Sequence, residues 1–427
     1  MARRMILRFS PRGACFRWAL ALYAFEQIAL KGVSWTAPLS GAVYWLYRFV
    51  DLLLPCLLAF CFLEDARKHF SRYHGIVLAV LAPLSVSAYI SKDPAALYSV
   101  LLILLARDLP FDRLRTSLLK SIGWALFTLI LAHFLKLTVS QPVNFAYGMG
   151  YSMGMAHPNN FSTAVSAFLL LWAYGQREKP FLRTMPLLAA GALLTFCFTR
   201  SRTTLIILLL YPVMFLLLRL PYRLRGEWLV RLMYLEFFTL MLLSLLLMLQ
   251  SEMGISLPGF WGDRNFLSRF TSALHLYERY GVHLFGSFIE YRSLRTALLT
   301  GQPAVILDSA YLYLLIGQGL VPLMIFLALI SRAVRIMIRR RQFVLLAVIG
   351  LFLASGMMER YMLYAYVNFP LLAAVSRLDA EKETLVRPVR RQARAAFRFS
   401  LGRTGKTQYN KSVYQHPSKT AAEVNAL

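Results

Sequence analysis

The sequence predicts an all-α polytopic membrane protein, and three observations carry that reading. The 427-residue chain is 58% hydrophobic and 14% aromatic, with a mean hydropathy of +0.55. That is more apolar surface than a soluble fold of this length can hide, so lipid is the solvent for much of it. About twelve apolar segments divide the chain, most of them near the length that crosses a hydrocarbon core. The Lys and Arg clusters fall on alternate connections, the asymmetry that marks cytoplasmic loops.

Taken in order, the expected spans are 16–30, 41–63, 76–90, 94–106, 117–137, 158–174, 184–199, 203–220, 229–250, 306–330, 342–357 and 362–376. The third, fourth and seventh are near or below the length needed for about 30 Å of hydrocarbon. Every crossing is expected to be a helix, because unpaired backbone is too costly in lipid. Met1-Ala-Arg-Arg4 is basic and runs straight into the first span. Ala19-Leu-Ala21 has the look of a cleavage site, but too little apolar sequence precedes it, so an uncleaved first span is expected. Cytoplasmic returns are read at Glu64–Arg72, Arg107–Lys120, Gln176–Lys179, Arg219–Arg231 and Arg332–Arg341. Both termini then lie in the cytoplasm on this reading.

Residues 1–376 form the transmembrane domain on this reading, and 377–427 a basic cytoplasmic tail. In the tail Arg387, Arg390, Arg391 and Arg394 suit a short helix on an anionic surface, and the last residues have the composition of a disordered segment. Three outer segments remain: 138–157, rich in Gly, Tyr and Met; the long loop 251–305; and 356–361. Within the long loop, Phe266–Phe288 repeats apolar residues at three- and four-residue spacing, which predicts an amphipathic helix along the outer interface. No internal repeat is evident, which weakens a transporter built from inverted halves.

The formal charge of +27 does not point to nucleic acid, because it is spread over short loops rather than gathered on one face. Membrane lipid headgroups are its expected partners. Cys15, Cys56, Cys61 and Cys197 lie in or beside apolar segments, with neither a disulfide framework nor a metal spacing. The phosphate-binding and dinucleotide-binding glycine motifs and zinc patterns are absent, and no cofactor is expected.

Cations on the outer side run against the charge bias and mark candidate anion sites. Arg200 and Arg202, in Thr199-Arg-Ser-Arg202, interrupt two apolar runs. A tight turn can aim both guanidiniums at one phosphate, whereas a plain helical hairpin would let them snorkel to headgroups. His157, in Met155-Ala-His-Pro-Asn-Asn160, begins a helix, where it serves as a cap or as a phosphate ligand or proton shuttle. Asp308 opens the tenth span, as an N-cap or as a base toward a hydroxyl. Glu359-Arg360 either orients other groups or ends a helix. In the long loop Arg264, Arg269, Arg279, Arg292 and Arg295 face acids such as Asp263, Glu278 and Glu290, some as ordinary surface pairs.

Four ordered features then meet a known family: Gly154-Met-Ala-His-Pro-Asn159, the Phe198-Thr-Arg-Ser-Arg202 turn, the stretch from Arg269 to Leu-Phe-Gly286, and Asp308-Ser-Ala-Tyr311-Leu-Tyr-Leu-Leu followed by Gly317 to Leu320. In their order and spacing, over roughly 120–370, the chain resembles the Wzy-type polymerases of O-antigen and capsule, and more distantly the O-antigen ligases. The resemblance implies a GT-C-like polymerase and ligase architecture and extracytoplasmic sugar transfer between polyprenyl-diphosphate-linked oligosaccharides, with a flippase and a chain-length regulator as partners. It implies catalytic roles for Asp308 and His157. Arg200, Arg202, Arg264 and Arg269 would neutralise the diphosphate, with Asn159, Tyr311, Glu359 and Arg360 near substrate. The ligases carry a His, in H-[N/S]-x-x-L, where this chain has Asp308, so the base is either Asp308 directly or His157 with Asp308 orienting the sugar. Transfer of a finished glycan to a lipid or protein, and a lipid-linked oligosaccharide flippase, are the alternatives.

Overall fold

Apolar helices joined by short basic turns stack antiparallel, because each turn of two to six residues returns the chain beside the helix it left. In the computed structural model α1 (Pro11–Phe25) continues into a π turn, Glu26–Leu30, and is followed by α2 (Ala37–Lys68), α3 (Arg72–Ser91), α4 (Ala95–Leu105) and α5 (Phe111–Phe134). A hairpin of β1 (Val143–Phe145) and β2 (Gly148–Gly150) precedes α6 (Pro158–Gly175), α7 (Phe181–Thr199), α8 (Arg202–Arg219) and α9 (Tyr222–Leu249). Next come α10 (Arg264–Tyr280), the short α11 (Ala310–Leu312) running into a π turn, Tyr313–Gln318, then α12 (Leu320–Arg339) and α13 (Phe343–Ser355). The structure describes residues 11–378, except 69, 141, 146–147, 180, 220–221, 251–263, 293–300 and 302–304. All of them belong to one unit, Met1–Glu381. The basic tail and most of the loop between α9 and α10 therefore lie outside the described residues.

The molecule is a mostly helical multi-pass membrane protein. Among the described residues five helices are long and apolar enough to cross a membrane: Ala37–Arg67, Arg72–Ser91, Phe111–Phe134, Arg231–Leu249 and Leu320–Arg339. Four shorter apolar helices lie among them, α4, α13 and the apolar parts of α7 and α8. With eleven residues, α4 rises only about 16 Å at 1.5 Å per residue. Exposed leucines, phenylalanines and tryptophans such as Trp45, Phe49, Trp124, Leu194 and Leu242 cover the outer helix faces, as expected where the solvent is lipid. By contrast α13 is apolar all round, and Val344 through Leu353 are all buried. A helix of that kind belongs at the centre of a bundle.

One pole of the bundle collects the basic turns. There Arg177 forks onto Asp112 with contacts of 3.1 and 3.0 Å, tying the turn after α6 to the start of α5. Arg12 meets Asp65 at 2.8 Å, tying α1 to the end of α2. The other pole collects residues 31–36, the hairpin, the turn between α7 and α8, α10 and the segments around 281–292, 305–309 and 356–361.

Two expected spans take another form. The segment 306–330 is not one helix. It breaks at Gly319, whose φ is +102°, and whose missing Cβ would stand 2.3 Å from the Gly286 nitrogen. Gly286, at φ +79°, would place its own Cβ 2.1 Å from the Gly317 oxygen. The two glycines let the Leu284–Ser287 segment cross against the break, where Leu320 N donates to His283 O and Val321 N to Leu284 O, both at 3.0 Å. Nor is 362–376 an α-helix. Two 3-10 segments, Arg360–Leu363 and Phe369–Ala374, carry the chain back to the basic pole, where Arg377 N donates to Leu109 O at 2.9 Å. Pro370 falls within the second and denies it a donor. Non-helical backbone at this depth is tolerated because protein encloses it: Ala365, Phe369, Leu371, Ala373 and Ala374 have no measurable exposure. Arg332 Nε on α12 satisfies the Ala374 carbonyl at 2.7 Å.

Candidate functional site

The site begins with how the start of α6 is held. Residues 33–36 pair with 137–139 and 154–155: Ser34 N donates to Gly154 O at 2.9 Å and Val139 N to Ser34 O at 2.7 Å. Gly154 is required here, since a Cβ would meet Thr138 Oγ1 at 2.4 Å and its φ is +90°. The chain then turns into Pro158 at the first helical position, with His157 extended as the N-cap. His157 Nδ1 accepts from Asn159 N at 3.2 Å, so its capping role is real. Its outer edge meets the Phe145 ring of β1 edge-on, with centroids 6.3 Å apart. Burial pushes the His157 imidazolium down, and Arg269 adds to this while Asp308 opposes it. The ring is held toward its neutral form.

Asn159, two residues into α6, sends Nδ2 to Glu359 Oε1 at 2.7 Å. Arg269 reaches the same carboxylate from α10, with Nη1 3.5 Å from Glu359 Oε1 and 3.4 Å from Asp308 Oδ2. The same nitrogen donates to the Met358 carbonyl. Four distant segments thus meet in one cluster: α10, Asp308 and Met358–Glu359 through the guanidinium, and Asn159 through Glu359. Helix α10 can deliver Arg269 because its other face is anchored: Phe270, Ala273, Leu274 and Leu276 are buried, while His275, Tyr277, Glu278 and Arg279 are exposed. The helix ends at Tyr280, short of the Phe266–Phe288 expectation, because Gly281 follows at φ +68°. Asp308 is not the cap of α11; Ser309 holds that position, and Asp308 turns to Arg269 instead.

One guanidinium faces two carboxylates, so among the described residues one negative charge is left without an ion-pair partner of its own. Glu359 absorbs the imbalance. Burial, with some help from Asp308 and against the pull of Arg269 and Asn159, pushes its carboxyl up to about 7. The cluster therefore contains a carboxyl that changes charge near neutrality beside a half-exposed carboxylate and a neutral-leaning imidazole. Such a set can accept a proton from a hydroxyl and hold an oxygen-rich ligand. Among the described residues no group of three or more His, Cys, Asp or Glu side chains converges as a metal site.

The arginine turn is tied to this cluster by the hairpin. Arg200 adopts a left-handed backbone, φ +56°, a conformation that costs a non-glycine residue on the order of 1 kcal/mol. Its guanidinium lies against β2, within 3.3–3.6 Å of where a Cβ on Gly148 would stand, and 5.8 Å from the Phe196 ring centroid. Tyr151 N donates to Phe198 O at 2.8 Å and clamps the turn from above. Arg202 begins α8 and is exposed. The two guanidiniums therefore start from different surfaces, Arg200 under the hairpin and Arg202 on the open face of α8. Below the turn a cavity walled by α6, α8 and α13 is lined by Thr163, Ser166, Ser201, Thr204, Ser355 and Glu359. Thr204 Oγ1 donates to Ser162 Oγ at 2.9 Å beside it.

Three expected ligands fall elsewhere. Tyr311 is buried in the core, its hydroxyl donating to Leu353 O on α13 at 2.8 Å, and it is no part of the cluster. Arg360 is not paired with Glu359. The extended backbone at Glu359 (φ −142°, ψ 128°) sends neighbouring side chains to opposite sides, and Arg360 lies over the rings of Tyr291 and Tyr313, at 5.6 and 5.7 Å. Arg264 starts α10, but its side chain lies outside what is described.

Sequence reasoning missed the hydroxyl-lined cavity and the tyrosines around Arg360. The signal for the first was present: Ser162, Ser166, Thr204 and Ser355 are polar residues inside apolar runs, and such residues turn inward. No family model, curated protein or solved structure matches this chain.

Proposed function

We infer that this protein is a membrane glycosyltransferase. It polymerises polyprenyl-diphosphate-linked oligosaccharide repeats of a surface polysaccharide at the outer leaflet of a bacterial plasma membrane. The observation that carries the reading is the Arg269–Asp308–Glu359–Asn159 cluster, beside His157 and at the pole away from the basic turns. On this reading the chain makes about twelve crossings, the spacing expected of a GT-C-like bundle, and the segment 360–376 is the last.

In the reaction an acceptor hydroxyl attacks the anomeric carbon of the donor. The bond from that carbon to the diphosphate oxygen breaks, and the lipid diphosphate leaves with the electron pair. Asp308, the more exposed of the two carboxylates at 33% against 10%, takes the hydroxyl proton. Arg269 keeps Asp308 and Glu359 in register. His157 remains a second candidate for the proton, being neutral and next to Asp308. Arg200, held under the hairpin, stabilises the departing diphosphate with Arg202 entering from α8, a charge effect that supplies several kcal/mol in a site shielded from water. In-line displacement inverts the donor carbon, because a single step needs no covalent carboxylate intermediate.

A lipid-linked oligosaccharide flippase would call for cations along a central passage. Among the described residues the cavity between α6, α8 and α13 is lined by hydroxyls, Glu359 and the apolar side chains of Ile207, Phe352, Met362 and Val367, without a cation. Transfer to a different acceptor, as in a ligase, uses the same chemistry. Purified protein in liposomes, supplied with lipid-linked repeats, separates the readings. A ladder of lengthened products supports polymerisation, and repeats that cross the bilayer without lengthening overturn it.

A further inference from the structure

On the far side of the Glu359 strand lies a second arrangement that the transfer chemistry does not use. Arg360 is half-buried between Tyr291 and Tyr313. Among the described residues it has no carboxylate within ion-pair distance and no hydrogen bond; it lies against the two ring faces, with Tyr364, Tyr361 and Asp93 as further electrostatic neighbours. The rings are themselves 6.2 Å apart. Tyr313 is fixed from behind: its hydroxyl donates to Asp93 Oδ2 and accepts from Gln318 Nε2 at 2.9 Å. Asp93 Oδ1 accepts from Ala95 N at 3.0 Å and so is already occupied at the start of α4. The Tyr291 hydroxyl is buried with no partner among the described residues, 3.0 Å from where a Cβ on Gly317 would stand.

We propose that Arg360, Tyr291 and Tyr313 form a subsite for the carboxylate of an acidic sugar. A guanidinium fork matches a carboxylate by two parallel hydrogen bonds. The two ring faces hold the fork in place, and the Tyr291 hydroxyl, unlike that of Tyr313, has no partner among the described residues to give up before it donates to an oxygen of the ligand. A single fork whose acidic neighbour Asp93 is already engaged by Tyr313 and Ala95 suits one negative charge rather than the two or more of a diphosphate. The proposal extends the transferase reading by naming a substrate class, a glycan that contains a uronic acid. Its test is a binding measurement that requires no transfer, so the two readings fail separately.

The experiment titrates the full chain, in nanodiscs of neutral phosphatidylcholine, with galacturonate oligosaccharides and with neutral galactose oligosaccharides of equal length. Binding is read by calorimetry and by saturation-transfer NMR. The expected result is binding of the acidic series at least tenfold tighter than the neutral one. Arg360→Gln abolishes that preference, Arg360→Lys weakens it because the fork is lost, and Tyr291→Phe lowers affinity with the charge preserved. Arg279→Gln, which removes an exposed cation on α10, retains it. Equal affinity for the two series, or a preference that survives Arg360→Gln, overturns the proposal. So does loss of acidic-sugar binding when phosphatidylglycerol replaces phosphatidylcholine, which would assign the site to a lipid headgroup.

Discussion

At the scale of single residues, the charge imbalance around Arg269 makes a pH prediction. The Glu359 carboxyl titrates near 7 in the folded protein against an ordinary value of 4.5. Because the folded state binds this proton more tightly, stability falls as pH rises from about 4.5 to about 7, and the contribution is fully present only below the lower value. Thermal unfolding of detergent-solubilised protein should therefore show a declining limb over that window, and Glu359→Gln should flatten it. If transfer requires the anionic cluster, its rate rises with pH through about 7, where the folded carboxyl ionises. Arg269→Ala should reduce transfer by about a hundredfold, the usual loss for a preorganised charge. Arg269→Lys should recover little of it, since one compact ammonium cannot serve Asp308, Glu359 and the Met358 carbonyl together; initial rates on lipid-linked repeats decide both. His157, Asp308 and Glu359 were legible in the sequence as polar groups at the ends of apolar runs, and Arg269 as a cation of the long outer loop. The position of Tyr311 was not, because a tyrosine three residues after an acid points wherever the following turn sends it, and here that is toward α13. Nor was the parting of Glu359 from Arg360, which depends on one extended residue.

At the scale of elements, the Gly286–Gly319 contact makes the sharpest claim. Gly319→Ala puts a methyl 2.3 Å from the Gly286 nitrogen and strains a φ of +102°. The combined cost should be at least about 1–3 kcal/mol, seen as a lower melting temperature and a poorer yield of monodisperse protein. Gly41→Ala is the control, with nothing within 4 Å of its Cβ and a helix former gained in α2. The sequence made most helices readable, since apolar length and basic turns act locally. It concealed the break at Gly319, because Gly317 and Gly319 within an apolar run look tolerable until another glycine is seen to press on them. It concealed the 3-10 return for a related reason: apolar composition reports burial and says little about backbone form when protein, rather than lipid, surrounds the chain.

At the scale of the whole molecule, the two poles predict an experiment on orientation. In a background with the four native cysteines replaced, Met149→Cys lies on the hairpin and Glu178→Cys on the basic turn after α6. Both parent residues are exposed. A membrane-impermeant maleimide should label Met149→Cys on intact spheroplasts and label Glu178→Cys only after permeabilisation. The reverse pattern would put the cluster in the cytoplasm and remove the outer-leaflet reading.

The buried return from Arg360 to Arg377 also bears on how the protein is made. A stretch held by 3-10 turns and by carbonyl contacts from Arg332 has little reason to leave the translocation channel as an autonomous helix. It threads into a seam whose walls, α4, α5 and α12, must already be standing. Biogenesis should therefore end with a closing stitch: a nascent chain released before residue 377 would be inserted but unzipped, and open to quality-control proteolysis along that seam.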